Sequence, residues 1–314
     1  MRSLIVASAS DAAVWVEHLR RNLPGRSIRC WPDDVGDPAE VAYICAWKAP
    51  PGALGRFPNA RVVFSLGAGV DHILADPALP KLPLVRIVDA DLTQRMTEYV
   101  TLHTLMIHRR QRAYDAQQKA RVWHELAQPA ARDVAVGIMG LGVLGKDAAE
   151  VLRRIGFRVA GWSRSPKTIA GIETFDGAAG LDAFLARTEI LIALLPLTAA
   201  TRGIVALPLL RKLNRDGALG GAHLINAGRG GLQIDADILV ALDQGVLASA
   251  TLDVFPTEPL PNDSALWTHP RVTITPHNAA WSNPAALAEG IARQIARFEA
   301  GQPLEGLVDT ATGY

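Results

Sequence analysis

The run Gly140-Leu141-Gly142-Val143-Leu144-Gly145 constrains this chain more than any other feature. An apolar segment over 134–139 precedes it, a helical pattern over 143–155 follows it, and a second apolar segment lies over 157–162. Strand, glycine turn, helix and strand together form the unit that binds a dinucleotide. The first glycine permits the tight turn, the second lets the backbone approach a pyrophosphate, and the third lets helix and strand pack closely. The helix N-terminus then offers N–H groups to the phosphates. The same six residues without those flanks also suit a plain structural turn; the flanks favour the nucleotide.

The end of the second strand selects the nucleotide. Where an NAD site carries an acid for the ribose hydroxyls, this chain has Trp162-Ser163-Arg164-Ser165-Pro166-Lys167. An arginine, a lysine and two hydroxyls suit a 2′-phosphate dianion, so Ser163 and Arg164 point to NADP rather than NAD. A solvated basic loop is the plain alternative.

The 314 residues are enough for two domains with separate cores. Upstream of the glycine turn, 3–9 reads as a strand and 12–23 as a helix with Asp11 as its N-cap. Apolar runs over 41–46 and 61–66 follow, the second ending in the loop Gly67-Ala68-Gly69-Val70-Asp71. A long helix is expected over 98–118, then a polar connection over 121–132. Downstream, 190–195, 223–226, 250–254 and 272–275 read as strands, and 181–186, 208–213 and 285–300 as helices. This predicts an α/β protein of parallel sheets.

Lys plus Arg (32) nearly equal Asp plus Glu (31), which gives no reason to expect nucleic acid or an anionic membrane as partner. Leu4-Ile5-Val6-Ala7 is too short for a signal sequence and is closed by Asp11. Two cysteines, Cys30 and Cys45, make no disulfide framework; they suit a reducing cytoplasm and read as small buried hydrophobes. No metal site is expected.

Three ionisable residues follow successive downstream strands: Arg229 in Asn226-Ala227-Gly228-Arg229-Gly230, Glu258 after Asp253-Val254-Phe255, and His277 in Thr275-Pro276-His277. Ligands of open α/β sheets collect at the carboxyl ends of strands. A guanidinium there polarises a carbonyl oxygen, an imidazole supplies a proton, and a carboxylate keeps that imidazole charged. Singly, each also has an ordinary place: a surface cation, a solvated loop acid, a satisfied core histidine and, for Asp253, a turn cap. Together beyond a nucleotide fold they suit hydride transfer to a carbonyl.

With these stretches, together with Leu66 to Asp71, Leu194-Leu195-Pro196-Leu197-Thr198 and Glu258-Pro259-Leu260-Pro261, the chain resembles the D-2-hydroxyacid dehydrogenase family, and within it the branch that reduces glyoxylate and hydroxypyruvate. The resemblance covers nearly the whole chain and is most specific over 134–280. It implies two doubly wound parallel-sheet domains with a cleft between them. One is a flavodoxin-like substrate domain of 1–100 and 281–314, made discontinuous by a returning C-terminal helix; the other is a Rossmann dinucleotide domain of 101–280. Arg229 binds the substrate carboxylate and polarises its ketone, His277 is the acid/base, and Glu258 pairs with it. Gly140, Gly142, Val143, Leu144, Gly145, Pro196, Ala227 and Asp253 join Ser163 and Arg164 at the cofactor, Asp253 holding the nicotinamide amide. The N–H groups of Ala68 and Gly69 grip the carboxylate, while Trp47 and Trp281 either narrow the pocket or pack as ordinary aromatics. The implied activity is NADPH-dependent reduction of glyoxylate to glycolate and hydroxypyruvate to D-glycerate, in a homodimer joined through the nucleotide domain. Another 2-hydroxy acid and a non-catalytic nucleotide sensor are the alternatives. Asn278 departs from the small apolar residue that many relatives carry after the histidine.

Overall fold

A computed structural model describes residues 3–8, 11–310 and 312–313. The chain divides into two compact units, Met1–Leu92 with Trp281–Tyr314, and Thr93–Ala280.

In the first unit β1 (Ser3–Ser8), α1 (Ala12–Asn22), β2 (Ile28–Cys30), β3 (Val41–Trp47), β4 (Val62–Ser65), α2 (Asp71–Leu74) and β5 (Leu84–Arg86) follow in order. The strands form one parallel sheet ordered β2-β1-β3-β4-β5, the flavodoxin order. Its apolar runs are continuous because both faces are covered. Leu4, Val6, Tyr43, Cys45 and Phe64 face one core; Ile5, Ala7, Ile44, Ala46 and Val63 face the other. Ala9, expected in the first strand, lies outside the described residues. Asp11 stands at the head of α1 with a left-handed φ of 55°, and its backbone carbonyl, not its side chain, takes the N–H groups of Val14 and Trp15.

α3 (Ala90–His108) begins in the first unit and continues through the second. The single helix expected over 98–118 is therefore two. Arg110 adopts φ 54°, which breaks the ladder, and α4 (Gln111–Ala120) starts afresh on its carbonyl. Next come β6 (Ala135–Met139), α5 (Val143–Ile155), β7 (Arg158–Ser163), β8 (Glu173–Asp176), α6 (Gly177–Leu185), β9 (Ile190–Ala193), α7 (Leu207–Leu210), β10 (His223–Asn226), α8 (Asp235–Asp243), β11 (Ser249–Leu252) and β12 (Val272–Ile274). These strands form a parallel sheet ordered β12-β11-β10-β9-β6-β7-β8. The order reverses between β6 and β9, the switch point at which nucleotides bind in such sheets.

α5 shows why this unit closes. Gly145, Ala148, Ala149 and Leu152 recur at helical spacing and are buried against Ile138, Ile190 and Ile192, together with Met96 and Val100 of α3. Gly156, at φ 111°, ends the helix by donating to the Leu152 and Arg153 carbonyls. Phe184, Leu210 and Leu242, from α6, α7 and α8, cover the other face over Met139, Leu191 and Leu224. Finally α9 (Pro284–Glu299) returns to the first unit, where Leu287, Ile291 and Ile295 pack with Trp15 and Leu19 of α1. Asn283 Oδ1 caps it by accepting from Ala285 N–H at 3.1 Å.

At the amino ends of these strands His223 Nδ1 meets Ser249 Oγ at 2.8 Å. Burial, with the Arg110 guanidinium adding to it, pushes this imidazole down to about 4 from an ordinary 6.5. Below that ordinary value the unfolded chain takes up a proton that the fold refuses. Stability should hold above pH 6.5 and fall by about 1–3 kcal/mol as pH drops toward 4. Urea denaturation across that window should show the slope flattened in His223→Gln; an unchanged slope would remove His223 as its source.

Candidate active site

The three glycines of the turn meet different demands. Gly140 has φ 110°, and a side chain on it would press on the Leu194 backbone at 2.7 Å. A methyl at Gly145 would lie 1.9 Å from the Gly140 carbonyl oxygen, so only glycine lets α5 sit this close to β6. Gly142 is the exception. Nothing lies within 4 Å of its Cβ position, and it heads α5 with no side chain capping the helix. Protein packing does not require a glycine there, whereas a ligand backing onto the loop does. Val143, beside it, is 48% exposed. Val143 and Leu144 thus flank an open helix N-terminus suited to a pyrophosphate.

Past β7 the loop turns on Ser163, whose hydroxyl donates to the Ser165 carbonyl at 2.8 Å. Ser163 is buried, while Arg164, Ser165 and Lys167 are exposed. The neighbouring strand ends in an exposed acid, Asp176, paired with Ser163 across the sheet. The sequence reading passed over Asp176 because β8 has no apolar run to mark it.

Three adjoining strands, β10, β11 and β12, deliver the ionisable groups. After β10 the chain passes Ala227, which is buried, and Gly228. A methyl on Gly228 would meet the Leu195 and Ala193 carbonyls at 3.0 and 3.1 Å, and one on Gly230 would meet the Phe255 carbonyl carbon at 1.9 Å. The Arg229 loop therefore lies directly on the end of β9 and on the loop after β11. Asn226, fully buried, fixes it: its Oδ1 accepts from Gly228 N–H at 3.1 Å, and its amide donates to the Arg229 carbonyl at 3.2 Å and to Gln233 Oε1 at 2.7 Å. Arg229 is half-buried, with Nη1 donating to the Gly228 carbonyl at 2.8 Å.

Glu258 and His277 meet. His277 Nδ1 lies 2.8 Å from Glu258 Oε2, and Glu258 Oε1 accepts from Phe255 N–H at 3.2 Å. A carboxylate only accepts, so Nδ1 carries the proton and Nε2 is left for other chemistry. The imidazole is 36% exposed.

Asp253 stands behind this pair, 1% exposed. Its Oδ1 accepts from the Thr275 hydroxyl at 2.6 Å and from Asn278 N–H at 2.9 Å, and its Oδ2 from Ala279 N–H at 3.0 Å. Its backbone carbonyl takes His277 N–H at 2.8 Å. The structure thus gives Asp253 the role of a turn cap. Thr275 and Asn226 were absent from the sequence-derived site. Only their positions, one closing a strand before Pro276 and the other before Ala227-Gly228, could have marked them.

In the first unit, the buried Ser65 hydroxyl lies 2.9 Å from the carbonyls of both Gly67 and Gly69. The N–H groups of Ala68 and Gly69 have no protein acceptor among the described residues. Trp47 packs on the Gly67 backbone, 2.4 Å from where a methyl would stand, and edge-on to His72 at 4.5 Å. Trp281 is 58% exposed.

A nucleotide-type sheet whose adjoining strand ends carry an arginine and a bonded glutamate–histidine pair defines a nicotinamide-dependent dehydrogenase. Residues 101–279 match the family model of the D-isomer specific 2-hydroxyacid dehydrogenase NAD binding domain. A glyoxylate/hydroxypyruvate reductase A of Serratia proteamaculans is 42% identical over 310 residues, 97% of each chain. Among solved structures, an NADPH-dependent glyoxylate/hydroxypyruvate reductase of Sinorhizobium meliloti, in complex with NADP and sulfate, is 50% identical over 100% of both chains with a TM-score of 0.95. A probable 2-hydroxyacid dehydrogenase of Rhizobium etli, in complex with NADP, HEPES and L(+)-tartaric acid, is 46% identical over 100% of both chains, also at 0.95. The chain belongs to the D-isomer-specific 2-hydroxyacid dehydrogenase family.

The glycine geometry predicts a contrast. Gly145→Ala should lose about 3 kcal/mol of stability through overpacking, and Gly142→Ala less than about 0.5 kcal/mol. Thermal denaturation of the two variants without ligand checks this; equal losses would contradict the division of labour.

Proposed function

We propose that the chain is an NADPH-dependent reductase of small 2-oxoacids, converting glyoxylate to glycolate and hydroxypyruvate to D-glycerate. The observation that carries this reading is the 2.8 Å bond from His277 Nδ1 to Glu258 Oε2, set beside Arg229 on adjoining strand ends. The whole-length identity of 50% with a reductase of that activity supports the substrate choice. The domain roles follow: 101–280 holds the nucleotide, and 1–100 with 281–314 holds the oxoacid.

The residues fit the dinucleotide. Gly140, Gly142 and Gly145 shape the turn, Val143, Leu144, Pro196 and Ala227 line it, and Ser163 and Arg164 meet the 2′-phosphate. Asp253 Oδ2 accepts from the nicotinamide amide. When bound, NADPH supplies the hydride. Arg229 holds the oxoacid carboxylate and polarises its ketone, assisted by the N–H groups of Ala68 and Gly69. His277 keeps a proton at Nε2 and gives it to the ketone oxygen as alkoxide character develops. Glu258 accepts from Nδ1 and so fixes the ring's tautomer and orientation. Trp47 and Trp281 limit the substrate to two or three carbons.

Loss of NADPH absorbance with glyoxylate and hydroxypyruvate tests the reading. The chain should turn over both and prefer NADPH to NADH. Arg229→Ala should reduce kcat as well as raise KM, with kcat/KM down about 10²–10³-fold, because the guanidinium meets developing charge. Tight NADPH binding without oxidation by any small oxoacid would instead favour a nucleotide sensor. Ser163→Asp with Arg164→Ala should shift preference toward NADH; unaltered selectivity would refute the phosphate assignment.

The same reading makes the protein a cytoplasmic homodimer joined through the nucleotide unit. Cys30 and Cys45 are free thiols, and no helix among the described residues is long and apolar enough to cross a membrane. Beyond α4, which has no buried residue, Trp123 is fully exposed beside Val122 at 51%. A second copy covering this segment accounts for both side chains. Trp123→Ser should convert the dimer to a monomer in sedimentation analysis; an unchanged mass would place the interface elsewhere.

A further inference from the structure

His277 lies beyond the end of β12, in the left-handed region at φ 53°. Such a conformation persists in a bulky residue when its surroundings over-determine it. Here the surroundings are the Asp253 carboxylate and carbonyl, which take the N–H groups of 277, 278 and 279. Asp253 is in turn bonded at Oδ1 by the Thr275 hydroxyl, which commits its only proton to that oxygen. The other partner of Thr275 is Tyr99 of α3, with the two hydroxyl oxygens 2.7 Å apart. With the threonine proton already placed, the phenol is the donor. Burial pushes the Tyr99 pKa up, the Asp253 charge adds to this, and the Thr275 bond opposes it, so the phenol keeps its proton. The Tyr99 ring is held by the buried His103 ring at 4.2 Å.

We propose that Tyr99 is a positioning residue for the acid/base histidine, acting through the line Tyr99 O–H, Thr275 O–H, Asp253 carboxylate and the 277–279 turn. The proposal rests on the function above for its kinetic consequence, though not for its geometry. Each hydroxyl polarises the next, so loss of the phenol proton weakens the bond from Thr275 to Asp253 and loosens the turn without removing any group at the site. The bland alternative is that Tyr99 only anchors α3. α3 carries a matched control for that: Thr97 Oγ1 donates to Asp147 Oδ2 of α5 at 2.5 Å, a tie of the same helix to a different element.

The experiment compares Tyr99→Phe, Thr275→Ser and Thr97→Val in the full chain. It reads kcat and KM for glyoxylate, NADPH affinity by fluorescence titration, and the nitrogen-15 NMR line of the His277 Nδ1–H in protein without substrate. Tyr99→Phe should lower kcat about tenfold, with KM and NADPH affinity within about twofold, and should broaden the imidazole line. Thr275→Ser keeps the hydroxyl and should retain both kcat and the sharp line, while Thr97→Val should leave both unchanged. A Tyr99→Phe enzyme with wild-type kcat and line overturns the proposal, as do equal losses in Tyr99→Phe and Thr97→Val. If Tyr99→Phe does not fold, Thr275→Val set against Thr275→Ser decides the same question. If the wild-type chain turns over neither oxoacid, the function fails while the imidazole line still decides the positioning.

Discussion

Asp253 is the carboxylate on which the Glu258–His277 end of the site depends. A buried carboxylate without donors is strongly unfavourable. This one takes its side-chain donors from Thr275, Asn278 and Ala279, the turn that carries His277. Burial and turn therefore enforce each other. The acid cannot remain inside unless the turn keeps its shape, and the turn cannot unwind without stranding the acid. The left-handed backbone of His277 is the conformation that this mutual demand leaves.

A second constraint is close backbone approach. Parallel register alone aligns the ends of β10, β11 and β12 but does not bring their loops into contact. Gly230 does so by lying on the Phe255 carbonyl, and Gly228 by lying on the carbonyls that end β9. The segment from Phe255 onward curls back so that Glu258 bonds Phe255 N–H with one oxygen and His277 with the other. Arginine, glutamate and histidine, far apart in sequence, thus sit on loops whose backbones are in contact or joined by a hydrogen bond.

The nucleotide unit was readable because its signals are local. Gly140, Gly142 and Gly145 sit between an apolar strand and an amphipathic helix, and three later strands lead into loops with ionisable residues. The hydrophobic period also marked β1, β3 and β4, whose runs are buried on both faces. What stayed hidden lacks a local pattern. β2 and β5 have three residues each, and β8 has no fully buried residue, so no apolar period could form. The break at Arg110 was invisible because arginine is a good helix former; only the fold places it in a left-handed turn. Tyr99 carries no local signal, because its hydroxyl finds its partner in a residue 176 positions away.

The two units solve one problem in the same way. A loop that must present its own backbone or a charged side chain has to satisfy its remaining polar groups inwardly. Ser65, at the end of β4, gathers the carbonyls of Gly67 and Gly69, while the N–H groups of Ala68 and Gly69 have no protein acceptor among the described residues. Asn226, at the end of β10, takes Gly228 N–H and gives to the Arg229 carbonyl, which fixes the backbone of the arginine loop. In both places a buried, uncharged side chain at a strand end does the holding. Strand-end residues as plain as Ser65 and Asn226 thus fix the backbone of the loops that follow them.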